Sequence, residues 1–293
     1  QLNLQQRTNK KGAKSPLIYS MNSIQKLLHK NKNPLIMGVL NVTPDSFSDG
    51  GKFITPNKAL KHVEMMINNG VDIIDVGAES TRPGAKIIPA DEERKRIEPI
   101  IKAIKKTFQI PVSIDTYKPE IMELGIDLGV DMINDIYALR HPGSIDTVVN
   151  SDVIICLMHM KGTPQNMQNN PLYKNVIEEV GQFLQERIIV CEKFGIDKSR
   201  IVIDPGFGFG KTHENNLELF QTLDKLKILS TPLLVGVSRK SMIRNIIGDG
   251  ENDIIQASAI MAVLSVLRGA KIVRVHDVRE TKIALKTLQL KDN

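Results

Sequence analysis

Short apolar runs recur along the chain, and each breaks off at polar residues. LIMGVL stops at Asn41, VDIIDVG leads into Glu79, VSID ends on Asp115, and DMIND ends on Asn134 and Asp135. VIICLM stops at His159, IVIDP carries Asp204, LLVGVSRK reaches Lys240, and KIVRVH carries Arg274 and His276. Helix-like stretches separate these runs, which therefore predict parallel strands joined by crossover helices. Eight such units predict an α/β chain folded as one (β/α)8 TIM barrel, whose C-terminal rim is where catalytic side chains gather. On that reading the polar breaks form a single site to which every strand contributes.

Helix signals fill the gaps. Thr55-Pro56 opens a helix with a capping side chain and a proline in the first turn, and Asn69-Gly70 closes it. Asp91 begins another, with Glu92 and Glu93 where the macrodipole favours negative charge. The pattern from Tyr173 to Phe194 predicts a long amphipathic helix closed by Gly195. An apolar helix is expected over Asp253 to Leu267, and a short one over Met242 to Ile247. Two strand-to-helix connections, Asn41 to Ile54 and Gly77 to Ala90, are long enough to act as lids or ligand clamps on the rim.

Composition changes the picture in one place. Of the 293 residues, those before residue 35 hold seven Lys or Arg and no acid, which accounts for the formal charge of +6. The remainder carries 32 basic and 33 acidic residues. Residues 1–33 are thus expected to be a basic, mobile arm, and residues 34–293 the catalytic barrel. A nucleic-acid surface is expected as a basic patch on the folded domain, whereas the excess here sits in the arm, so no nucleic-acid partner is expected. No stretch approaches the length of a membrane span, and no leader pattern precedes the first strand. Cys156 and Cys191 lack metal-ligand spacing and suit buried thiols in a reducing cytoplasm.

The Gly-rich stretch from Asp204 to Thr212 resembles a nucleotide-binding P-loop only at Gly210-Lys211-Thr212. Pro205 occupies the position of its first glycine and lacks the N–H that would cradle phosphate. A tight turn bringing backbone and Phe209 against a flat ligand is the better reading. Asp115, Asn134 and Asp204 would point into the barrel mouth, where carboxylates and an amide suit a heterocycle rich in N–H and C=O groups. Arg274 and His276, two apart, share a strand face, and with Asn41 from the adjacent strand they make an anion site sized for phosphate or pyrophosphate. The Asn41 oxygen is also available to Mg2+. Ser238 to Ser241 precede a helix and would hold a carboxylate at its N-terminus. His159 fits a core role as well as a direct one.

These segments resemble the dihydropteroate synthase family. The stretches running from Met37 through Asn41 to Gly51, and from Asp75 to Gly84, look like its two signature segments; DPGFGFGK, VGVSRKS and RVHDV follow in the right order. The resemblance spans Pro34 to the C-terminus. It implies an enzyme, a transferase, that joins 6-hydroxymethyl-7,8-dihydropterin pyrophosphate to 4-aminobenzoate, releasing pyrophosphate, with Mg2+ required and sulfonamides competing for the aminobenzoate pocket.

Carried over by motif, Asp115, Asn134, Asp204 and Lys240 hold the pterin, with Met158 near the ring. Asn41, Arg274 and His276 bind pyrophosphate and metal. Phe47, Thr81, Arg82, Pro83, Phe209 and Ser241 surround the aminobenzoate. The resemblance also implies a cytoplasmic homodimer. The alternative it leaves is a pterin-binding methyltransferase domain that presents methyltetrahydrofolate, which would need no pyrophosphate site.

Overall fold

Residues of alternating parity along each apolar run face opposite sides of a sheet, and that parity builds this molecule. The computed structural model describes residues 21–31, 33–43, 55–80 and 84–288. A short helix, α1 (Ser23–Lys30), comes first. Then follow β1 (Leu35–Asn41), α2 (Pro56–Asn68), β2 (Ile73–Gly77), α3 (Ala90–Thr107), β3 (Val112–Asp115), α4 (Pro119–Asp127) and β4 (Met132–Asp135). The second half runs α5 (Ser144–Val149), β5 (Ile154–Met158), α6 (Val176–Lys193), β6 (Ile201–Asp204), α7 (His213–Gln221) and β7 (Leu233–Val235). It ends with α8 (Ser241–Ile247), α9 (Glu251–Leu267), β8 (Ala270–Val275) and α10 (Val278–Lys286). The strands pair in chain order, all parallel, and β8 closes onto β1. The expected single eight-stranded barrel is therefore the fold.

One parity of each strand packs outward against the helices, as Ile36, Ile74, Ile114, Ile133, Leu157, Ile203 and Val273 do. The other parity fills the barrel. Met37, Ile73, Met132, Ile154, Cys156, Val202, Leu234 and Ile272 form one buried interior cluster. Two residues further along four of those strands stand Asp75, Asn134, Asp204 and Arg274, on the same face by period two. The interior thus passes from an apolar plug to a polar ring within one repeat.

The arm expected over residues 1–33 needs correction for its second part. Residues 1–20 lie outside the described residues, but Ser23–Lys30 is a helix whose Ile24 is fully buried in the interior cluster. The Asn22 side chain caps it, and Asn22 Nδ2 donates to the Asp131 carbonyl at 3.0 Å. Burying one isoleucine is worth about 1.5–3 kcal/mol, enough to dock a single short helix that also gains a capping box.

Other boundaries moved by a few residues. α6 starts at Val176 rather than Tyr173, because the Asn175 side chain caps it and Tyr173 instead donates its hydroxyl to Gly210 O at 2.6 Å. α2 begins as expected, with Thr55 Oγ1 accepting from Lys58 N. Both cysteines are buried free thiols. Among the described residues no helix is long and apolar enough to cross a membrane.

Candidate active site

The polar ring is knit around Arg274. Its Nε donates to Asp75 Oδ2 at 2.6 Å and its Nη2 to Asp115 Oδ2 at 2.9 Å. Asn134 Nδ2 donates to the same Asp75 oxygen at 3.2 Å. Asp75 Oδ1 is buried and has no partner among the described residues, which leaves it as an acceptor for a ligand N–H or a water. Burial opposes the Arg274 charge, but Asp75 and Asp115 outweigh it and hold the guanidinium above its ordinary pKa. Burial, with Asp75 adding like charge and Arg274 opposing, pushes Asp115 up to about 7.

Parity separates two neighbours that the sequence left together. Asn134 faces the ring, whereas Asp135 faces outward and accepts from Tyr137 N and Leu139 N, both at 2.7 Å. Asp135 therefore shapes the turn after β4, where Ala138 and Leu139 adopt φ of 53° and 55°. Burial pushes its carboxyl up to about 6.

Across the barrel, Asp204 ends β6 and leads into the Gly-rich turn. Asp204 Oδ1 accepts from Gly206 N at 2.7 Å. Gly206 and Gly210 have φ of 69° and 62°, and a Cβ on either would collide with the carbonyl oxygen of His159 or Lys161. Glycine is required there by both conformation and space. Burial raises the Asp204 pKa, with Lys240 the main opposing charge. Lys240 Nζ donates to Phe207 O and lies 4.8 Å from the centre of the Phe209 ring. Burial pulls its pKa down to about 8, against the pull of Asp204. Met158 is buried beside Ile136, Met160 and Met167, with Tyr117, Tyr137 and Phe209 packed against them, so one apolar wall flanks the ring.

Lys240 differs from expectation in how it is held. β7 stops at Val235, and Lys240 comes from the following turn as the N-cap residue of α8. Arg239 beside it has φ of 59°, and its side chain clamps Asp277, with Nε 2.9 Å from Oδ2. Ser241 opens α8 and is exposed. His276 is exposed just past β8, with its Nδ1 3.1 Å from Ser238 Oγ. The shared strand face expected for Arg274 and His276 is therefore corrected: β8 ends at Val275, and the two side chains take different partners. Asn41 ends β1 beside Gly77.

Phe47, Thr81, Arg82 and Pro83 lie outside the described residues. Just before the last three, Glu79 accepts from Lys118 Nζ and from Tyr117 Oη at 3.2 Å, and Lys118 also reaches the buried Glu93 at 2.5 Å. Two participants escaped the sequence reading as site residues: Asp75 and the Glu79–Lys118–Glu93 group. For Asp75 the signal was available, since it lies two residues beyond the inward Ile73. Asn41 offers an amide oxygen suited to a hard cation, and among the described residues no group of three His, Cys, Asp or Glu forms a preformed metal cage.

The sequence profile of the pterin binding enzyme family matches residues 37–276. The dihydropteroate synthase of Escherichia coli K12 is 44% identical over 265 residues, covering 89% of this chain and 94% of that protein. Among solved structures, the Yersinia pestis dihydropteroate synthase in complex with a sulfonamide drug superposes with a TM-score of 0.85 at 40% identity. That match covers 89% of this chain and 94% of the other. The Xanthomonas albilineans dihydropteroate synthase with 4-aminobenzoic acid gives a TM-score of 0.84 at 43% identity over the same shares.

Proposed function

The chain belongs to the pterin binding enzymes and, within them, to the dihydropteroate synthase family, and from that premise we propose how its own residues carry the reaction. The reaction joins 6-hydroxymethyl-7,8-dihydropterin pyrophosphate to 4-aminobenzoate, giving 7,8-dihydropteroate and pyrophosphate. The observation that carries the assignment of roles is the ring of buried Asp75, Asn134 and Asp204 and partly buried Asp115 and Arg274, with Lys240 at its edge.

Asp115, Asn134, Asp204 and Lys240 bind the pterin edge, pairing its amidine-like N–H groups with carboxylates and its carbonyl with cationic or amide donors. Met158 packs on the ring. Pyrophosphate leaves a carbon attached to an electron-rich heterocycle, so positive charge spreads into the pterin as the bond breaks. With every group ionised the ring holds three carboxylates and two cations, a net negative field fixed where that charge develops. Asp115 lies on the ring side and stabilises the cation. Arg274 and His276 receive the departing anion.

The arylamine of 4-aminobenzoate is already nucleophilic, so the residues orient it rather than deprotonate it. Phe209 and Ser241 serve that side, with Phe47, Thr81, Arg82 and Pro83. Mg2+ fits the donor chemistry, because it takes one or two protein oxygens and completes its shell with phosphate and water. Asn41 would hold it, and when bound it neutralises charge on the leaving pyrophosphate.

The exposed apolar side chains of Ile246, Ile260 and Leu267 on α8 and α9 support a homodimer formed through these helices. The free, buried thiols suit a reducing cytoplasm, where we place the reaction. The decisive experiment incubates the protein with both substrates, with and without Mg2+, and seeks dihydropteroate by mass spectrometry. Metal-dependent product supports the proposal. A folded protein yielding none would sink it. Sedimentation velocity of wild type against Ile260→Asp tests the dimer.

A further inference from the structure

The P-loop-like Lys211 has no part in the proposed reaction, yet among the described residues it is one of the most buried cations, at 2% exposure. Its Nζ lies 2.8 Å from Gly206 O, 2.9 Å from His159 Nδ1 and 3.1 Å from Phe209 O. An ammonium has three hydrogens, and these are three partners. No donor is left for a phosphate, so this lysine does not act as a P-loop lysine would.

The contacts close a circuit on a site residue. Asp204 Oδ1 accepts from Gly206 N at 2.7 Å, and Gly206 O accepts from Lys211. Lys211 meets the His159 ring, and His159 N donates to Asp204 O at 2.9 Å. Both the side chain and the main chain of Asp204 are therefore tied to one buried amine. A second arm runs through Phe209 O to the ring that flanks Lys240. The His159 ring is itself wedged edge-on against Phe183, with centroids 4.9 Å apart. Burial lowers the pKa of both groups, His159 to about 2, and the Lys211 charge adds to the effect on His159. Whichever of the two nitrogens carries the proton between them, all three contacts persist.

We infer that Lys211 is a positioning residue: it gathers the carbonyls of Gly206 and Phe209 and the ring of His159 onto one buried nitrogen, and so fixes Asp204 and Phe209 against the substrates. The inference rests on the proposed role of Asp204 as a pterin ligand, and its test separates the two. Lys211→Met keeps the apolar stem as far as the ε position and removes the donors. Pterin pyrophosphate affinity would be measured by fluorescence titration for wild type, Lys211→Met, Asp204→Asn and the double variant, with far-UV circular dichroism and urea midpoints alongside.

Lys211→Met should fold and lose roughly tenfold or more in pterin affinity, and the double variant should bind within about threefold of Asp204→Asn alone, because the two act through one contact. A structural lesion elsewhere would multiply the two losses instead. Wild-type affinity in Lys211→Met, or fully multiplicative losses, overturns the inference. Wild-type affinity in Asp204→Asn overturns the reading beneath it, and the inference with it. Should Lys211→Met not fold, His159→Phe preserves the ring packing and removes one of the three acceptors. The same non-additivity with Asp204→Asn is expected there, and independence of the two overturns the inference.

Discussion

Inside the barrel, Nε of Arg274 lies 2.6 Å from Oδ2 of Asp75, a residue with no solvent exposure. The same oxygen accepts from Asn134, so one carboxylate aligns both Arg274 and Asn134. Asp75 thus organises the ring beneath Asp115 and Asn134, the residues proposed to meet the pterin.

Removing that partner leaves a guanidinium whose side chain is only 21% exposed with half its compensation gone. Breaking a buried pair on one side costs about 3–5 kcal/mol, and Asp75→Ala is expected near the lower end because Asp115 remains. Urea unfolding measures it. Asp75 is also one of the charges raising the Asp115 pKa, so the same variant should lower the Asp115 titration seen by NMR. A variant as stable as wild type, with Asp115 unmoved, would remove Asp75 from the network.

Asp115 gives a pH dependence with opposite signs for stability and activity. Its folded pKa, about 7, is above the ordinary carboxylate value, so the folded state favours the protonated form. The stability it contributes is complete below about pH 4 and is lost as pH rises through about 7. Cation stabilisation needs the ionised form, so kcat/KM should climb through the same window. Asp115→Asn should flatten that acid limb and reduce turnover far more than pterin binding. Comparable losses in both would argue against a role in the transition state. A limb that persists in the variant would belong to the substrate pyrophosphate instead.

The strand ends at Asn41, Asp115 and Asp204, and the Asn134–Asp135 pair that ends β4, were legible because an apolar run ending on polar residues has few other meanings in a parallel barrel. Lys240 was placed at a strand end because LLVGV reads as continuous β. The ladder stops at Val235, yet Val237 is still buried, and an apolar run does not distinguish a strand from a buried turn. Asp75 shares the parity of inward Ile73 but was missed because it lies inside its strand rather than at the end, and its partners come from residues 59 and 199 positions away. The clearest loss was α1. Its basic flanks suggested a solvated arm, although Ile24, Leu27 and Leu28 stand at helical spacing behind a capping Asn22.

That helix makes its own prediction. Ile24→Ala should lower stability by about 2–4 kcal/mol, the usual cost of emptying a fully buried isoleucine site. Asn22→Ala should cost about 1 kcal/mol or somewhat more, since it loses both the cap and the bond to Asp131 O. Thermal and urea unfolding report both, and kcat should hardly change, because α1 plugs the end of the barrel away from the site. Stability equal to wild type in Ile24→Ala would mean the helix is not docked in solution.

The last prediction concerns Arg274, proposed to receive the departing anion. A guanidinium has five N–H donors, and Asp75 and Asp115 occupy one each, so donors remain for a pyrophosphate oxygen. Charge-assisted contacts of that kind are worth about 2–4 kcal/mol, so Arg274→Ala should weaken pyrophosphate binding by roughly 30-fold to several hundredfold. Calorimetric titration with pyrophosphate and Mg2+ measures the loss directly. Arg274→Ala also strips Asp75 and Asp115 of their counter-charge, so Asp75→Ala is the control: it disturbs the same network and keeps the guanidinium. If both variants weaken pyrophosphate equally, the effect comes from the network rather than from Arg274. If Arg274→Ala binds as wild type does, the anion is held by His276 and the metal without it.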